Sequence, residues 1–156
     1  MKSFFTSLFM LLVLPLCLCA SQDDDNWPSV EYLRNDYKAV SVVAHIRIDQ
    51  AEITGRVGGY ENWKLTGVVM ESFKGRFKKG DPITYFHGAE AGLKREYFNE
   101  EKIVFLLAEH DSKTNEPHYS VLENSTLKAN PDRLKKLRVI RNQFLRKHRR
   151  STNSHA

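Results

Sequence analysis

The sequence predicts a mainly β protein, a small closed barrel of five strands followed by a C-terminal amphipathic α-helix. Three observations carry that reading. Short β-rich runs recur through the middle of the chain, one of them alternates with a period of two, and helical spacing is confined to the ends. In the first run Val40, Val42, Ala44, Ile46 and Ile48 alternate with Ser41, Val43, His45, Arg47 and Asp49, the pattern of a strand with one face in a core. Gly55 and the pair Gly58-Gly59 then mark a loop. Residues 63–73, 82–87, 102–109 and 118–126 supply four further runs rich in β-branched and aromatic residues. Ile103-Val104-Phe105-Leu106-Leu107 is apolar on both faces, so the fourth strand should be the most deeply buried. A longer irregular connection over residues 88–101 separates the third strand from the fourth, and five strands in one small domain suit closure into a barrel.

The helices belong at the ends. Pro28-Ser29 before Val30-Glu31-Tyr32-Leu33 predicts one short helical turn ahead of the first strand. The C-terminal segment carries fuller signals: Asn130 suits the N-cap, Pro131 the first helical position, and Asp132 the positive end of the helix dipole. Leu134, Leu137, Ile140 and Phe144 then form one apolar stripe, with Leu145 adjoining, on an otherwise cationic helix.

At 156 residues and 41% apolar, the chain supports one domain with an ordinary core. Its first twenty residues differ from the rest. Lys2 precedes an almost wholly apolar run to Leu18, and Cys19-Ala20-Ser21 then leads into Gln22-Asp23-Asp24-Asp25. This is the layout of a secretory signal peptide cut near Ala20, and it implies a secreted or periplasmic protein. A lipid anchor at Cys19 is the alternative, although Leu18 stands where such a signal wants a small residue. The expected divisions are a signal peptide at 1–20, a lead-in at 21–36, a small closed β-barrel at 37–129, a basic helix at 130–150 and a disordered tail at 151–156. Cys17 and Cys19 are the only cysteines. A chain cut after Ala20 therefore has no thiol for disulfides, nucleophilic attack or metal binding.

Charge is unevenly placed. Residues 131–150 hold nine Lys or Arg against Asp132 alone, while residues 21–130 carry a net −4. Lys135, Lys136, Arg138, Arg141 and Arg146 are the candidate anion-binding set, for an anionic surface or an acidic envelope polymer. Gly75 and Gly80, with basic residues between them, imitate a phosphate-binding loop. Asp81-Pro82 follows where that loop needs Lys and then Ser or Thr, so the stretch reads as a connector between strands and no nucleotide is expected.

Three stretches, "VVMESFKGRFKKGDPITY", "NEEKIVFLLAEH" and "YSVLENS", occur in an order that resembles secreted bacterial domains related to tissue inhibitors of metalloproteinases and netrin modules. The resemblance spans residues 37–130 and implies an OB-fold barrel. Those inhibitors act through a cysteine at the mature N-terminus that ligates the target's zinc. Here Ser21-Gln22-Asp23 stands instead, and the family's disulfides are missing, so neither that mechanism nor any functional residue carries over.

No motif for catalysis is present. The histidines at 45, 87, 110, 118, 148 and 155 have no metal-ligand spacing, and neither metal nor cofactor is expected. His87 near Glu90, and His110 beside Asp111, come nearest to an acid–base pair; Ser120 and Ser125 lack a nucleophile's setting. Asn124-Ser125-Thr126 fits a glycosylation acceptor in a eukaryote and a strand end in a bacterium. Arg56, Tyr60 and Trp63 lie in or beside the first inter-strand loop, which often shapes the ligand groove of an OB-fold. They are the candidate ligand-binding residues, set against the reading in which Trp63 simply packs. The sequence thus points to a non-enzymatic binding module whose partner is a protein or an envelope polymer, export making nucleic acid the less accessible partner. The alternatives are a secreted hydrolase or nuclease with an unrecognised site, and a polyanion or membrane-surface binder acting through the basic helix.

Overall fold

The computed structural model describes residues 28–110 and 117–153. The signal segment with its cut and Cys19, the acidic start, Asp111, His155 and the side chains of His110 and Asn124 lie outside the described residues. The elements in order are α1 (Val30–Ala39), β1 (Val42–Val57), β2 (Tyr60–Lys74), β3 (Pro82–Glu90), a 3-10 turn (Arg95–Phe98), β4 (Lys102–His110), β5 (Pro117–Lys128) and α2 (Pro131–Asn153). The strands close into a barrel in the order β1-β2-β3-β5-β4, with β4 returning to β1. Every pairing is antiparallel except β3 with β5. This is a small OB-like barrel with a C-terminal helix.

Several elements run further than local pattern suggests. α1 has ten residues rather than one turn. Ser29 caps it by accepting from the Tyr32 amide at 3.2 Å, and Leu33 and Tyr37, four apart, bury one face. Its last carbonyls receive the Lys74 ammonium, which donates to Tyr37 O at 2.7 Å and Val40 O at 2.6 Å, where the negative end of the dipole favours a cation. β1 continues through Gly55, and the expected loop shrinks to a two-residue turn at Gly58-Gly59, both with positive φ. α2 extends to Asn153, past the expected end at 150.

The barrel has two cores because its strands bury both faces in part. Ile46, Leu65, Val69, Tyr85, Val104 and Leu106 fill the interior. Val43, Phe73, Ile103 and Phe105 point outward and are covered by Leu33 and Tyr37 of α1 and by Leu137 and Ile140 of α2. The alternation of Val104 and Leu106 with Ile103 and Phe105 explains why this run is apolar on both sides. Gly67 marks the tightest crossing: a Cβ there would lie 2.2 Å from the Arg47 carbonyl oxygen, so only glycine lets β1 bend over β2. In the connector between β2 and β3, Gly75 and Gly80 take positive φ, and the Asp81 carboxylate accepts from the Lys78 amide at 2.8 Å. The loop turns its polar groups on itself.

α2 is fastened as well as packed. Asn130 accepts from the Arg133 amide at 2.8 Å, and the rings of Phe144 and Tyr37 are 5.0 Å apart. Arg138 grips Glu71 of β2 with contacts of 2.6, 3.0 and 3.2 Å, and Arg141 reaches Ser72 O at 3.2 Å. The Arg138 hydrogen bonds hold the Glu71 carboxyl below its ordinary range, helped by the charges of Arg138, Arg141 and His45. A carboxyl depressed in the folded state stabilises above its unfolded pKa, about 4.3, and that contribution fades as pH falls through the folded value. Glu71→Gln is therefore expected to lower the urea midpoint at pH 6, and the gap from wild type should narrow towards pH 3. A gap independent of pH would mean that the ionised Glu71 carboxylate contributes nothing through its charge. Among the described residues no helix is long and apolar enough to cross a membrane.

Candidate functional site: the seam between β3 and β5

The parallel contact of β3 with β5 is short, a single bridge between Phe86 and Ser120, with the Phe86 ring stacked on His118 at 4.2 Å. Past that bridge the two strands part, and the connection carrying the 3-10 turn runs beside the opening. Phe98 plugs the interior there, 2% exposed, against Trp63 at 5.0 Å, His87 at 5.8 Å and Tyr97 at 5.4 Å between ring centres. A pocket of about 560 Å³ opens at this seam, lined chiefly by Tyr60, His87, Glu90, Leu93, Tyr97 and Thr126.

Pairing explains what faces inward. Cross-strand partners share a face of the sheet, so Trp63 sets His87, Leu65 sets Tyr85 and Val104 sets Thr126 on the interior side. Glu61, opposite Ala89, follows the same alternation. Among the described residues, five buried polar atoms lack a hydrogen-bond partner: Glu61 Oε2, Trp63 Nε1, Tyr85 OH, His87 Nδ1 and Thr126 Oγ1. All five sit on this inner face. Buried polar groups are nearly always partnered, and each orphan costs about 1–3 kcal/mol. Two of them, His87 Nδ1 and Thr126 Oγ1, belong to residues that line the pocket, where a polar guest or water would partner them.

Among the described residues Lys102 alone is a buried lysine or arginine, and it lies behind the pocket wall against Tyr97. Lys102, paired with Ile46 on the inner face, is 3% exposed. Its Nζ lies 4.0 Å from the Tyr97 ring centre and 3.7 Å from Glu100 Oε2. Burial pushes its pKa down, partly countered by Glu100. Burial first, then the Lys102 charge, pushes the His87 pKa below the ordinary histidine range, so the ring is neutral at pH 7. Burial raises the Tyr85 phenol well above its usual value. A neutral imidazole and two neutral hydroxyls can each donate or accept.

The sequence-derived candidates are redistributed. Arg56, in β1, is itself exposed and pairs at 3.0 Å with the buried Glu61. Tyr60, 58% exposed, stands on the rim of the seam. Trp63 is only 4% exposed and packs in the barrel interior against Phe98, as the reading in which it simply packs expected. Of the five cations, Arg138 and Arg141 hold α2 to β2 and Lys136 donates to Pro28 O at 3.2 Å. Only Lys135 and Arg146 of that set stand exposed with no contact described to them. His87 does line a pocket with Glu90, but its Nδ1 has no partner among the described residues, so no carboxylate orients the ring through that atom. Among those residues no group of three His, Cys, Asp or Glu could hold a metal ion. Sequence reading missed Leu93, Tyr97, Lys102 and Thr126. Lys102 alone left a signal, a lysine in phase with the inward-facing Val104 and Leu106.

Fold and pocket together define a small OB-like barrel with a polar cavity at its β3–β5 seam. No family model, curated protein or solved structure matches the chain.

Proposed function

We propose that the protein is an exported, non-enzymatic binding module of the kind its resemblance to tissue-inhibitor and netrin-like domains implies, without their N-terminal cysteine chemistry. It takes its ligand at the β3–β5 seam. The observation that carries this reading is the pair of orphaned polar atoms, His87 Nδ1 and Thr126 Oγ1, on two residues that line the pocket there. A pocket of about 560 Å³ lies within the range of small-molecule sites, roughly 300–1,000 Å³. Export rests on the signal-like residues 1–20.

A second reading, polyanion or membrane-surface contact through α2, draws on Arg146, Lys147 and Arg150, which stand exposed beyond the docked half of the helix. A hydrolase with an unrecognised site is the third.

Thermal melts with fractionated medium and envelope extract from the source organism test the proposal. A ligand at ten times its Kd stabilises by about 1.4 kcal/mol, a rise of roughly 4–7 °C in Tm. The rise is expected in wild type and not in Leu93→Trp, which fills the pocket, and the ligand should be recovered unchanged. Equal rises in both proteins place the ligand elsewhere. Recovery of a cleaved product favours the hydrolase.

A further inference from the structure

We propose that the seam pocket takes the ring of a neutral, hydroxyl-rich ligand, a sugar unit of a glycan. This rests on the reading of the seam as the ligand site and adds the chemistry of the guest.

Charge excludes much. Of the residues lining the pocket, Glu90 alone carries a formal charge at neutral pH. His87 is neutral there, because burial and the Lys102 charge both oppose its protonation. The Lys102 ammonium is engaged behind the wall by the Tyr97 ring and Glu100. A phosphate or carboxylate entering the pocket would lose its hydration beside Glu90, with no wall cation to replace it. An organic cation fares poorly for a different reason. Stacked on Tyr97, it would share the ring with an ammonium already 4.0 Å from its centre, a repulsion between like charges.

The remaining features match a sugar ring. Tyr60 and Tyr97, 58% and 43% exposed, flank the opening and present flat apolar bodies to the C–H face of a pyranose. Within, His87 Nδ1 and Thr126 Oγ1 are unpartnered, and the Glu90 carboxylate is an acceptor. Each sugar hydroxyl is both donor and acceptor, so it can satisfy either tautomer of the imidazole, the threonine hydroxyl and the carboxylate. A wholly apolar guest would leave the same two atoms orphaned.

Titration calorimetry on the exported protein tests this with cellotriose, maltotriose and triacetylchitotriose, each at up to about 10 mM, and with choline and inorganic phosphate as charged probes. At least one trisaccharide is expected to bind with a Kd of about 1 mM or tighter. Thr126→Val and Tyr97→Ala should each weaken it roughly tenfold, the loss of one hydrogen bond or one stacking face. The isosteric Thr126→Val should keep or raise the urea midpoint, since it removes an orphaned hydroxyl. No binding of any trisaccharide overturns the proposal, as does binding that neither variant weakens. Choline or phosphate bound in their place also overturns it. Retention of the Leu93→Trp-sensitive Tm rise with native fractions would then leave the seam itself standing as the site.

Discussion

Removal of residues 131–156 is expected to unfold the domain at room temperature. α2 is the lid of the second core, not an appendage. Leu137 and Ile140 are 0% exposed, and burying each contributes about 1.5–3 kcal/mol. Leu134 and Phe144 add half-buried area, and Arg138 and Arg141 add the clamp on Glu71 and Ser72. The larger loss falls on the barrel, because Val43, Phe73, Ile103 and Phe105 would face water on its outer side. The sum exceeds about 5 kcal/mol, the lower end of the stability of an ordinary domain. Circular dichroism and urea melts of the truncated chain check this. A truncated protein that keeps the wild-type midpoint would show that α2 is free, and would favour the membrane-surface reading.

Phe105→Ala is expected to cost about 3–5 kcal/mol, the usual penalty for emptying a buried phenylalanine site. Phe105 is 0% exposed and sits where β4 meets both helices, so rigid elements on three sides limit collapse into the cavity. Lys79→Ala, on the exposed connector, should stay within about 0.5 kcal/mol and serves as the control. Denaturant melts of the two proteins decide. Equal losses would mean that β4 is not the strand shared between the cores.

The five strands and the C-terminal helix were legible because burial on one face imposes a period that local sequence must carry. The alternation at Val42, Ala44 and Ile46 and the stripe at Leu134, Leu137 and Ile140 are both of this kind. What was not legible depends on contacts between distant residues. α1 outgrew its local signal because Tyr37 reaches Phe73 O, at 2.7 Å, and Lys74 closes its end. Gly55 lies in a strand because Asn62 pairs opposite it, which moves the turn to Gly58-Gly59. The candidate site suffers most from this. The seam needs the parallel bridge of Phe86 to Ser120, which leaves no periodic trace, and its wall draws on four separate stretches of chain. Sequence reading reached Tyr60 and His87 and carried the reading in which Trp63 packs, but could not bring Tyr97 and Thr126 to the same wall. Nor could it foresee that Arg138 and Arg141, counted among free cations, would be spent on docking.

The central claim is that ligand recognition belongs to the seam and not to the basic helix. Mapping amide shifts of the ¹⁵N-labelled exported protein, titrated with the native fraction that raises its Tm, tests this most directly. The account predicts shifts concentrated at residues 87–90, 97 and 121–126, with residues 135–150 unmoved. Shifts confined to residues 135–150, with the seam amides unchanged, would contradict it.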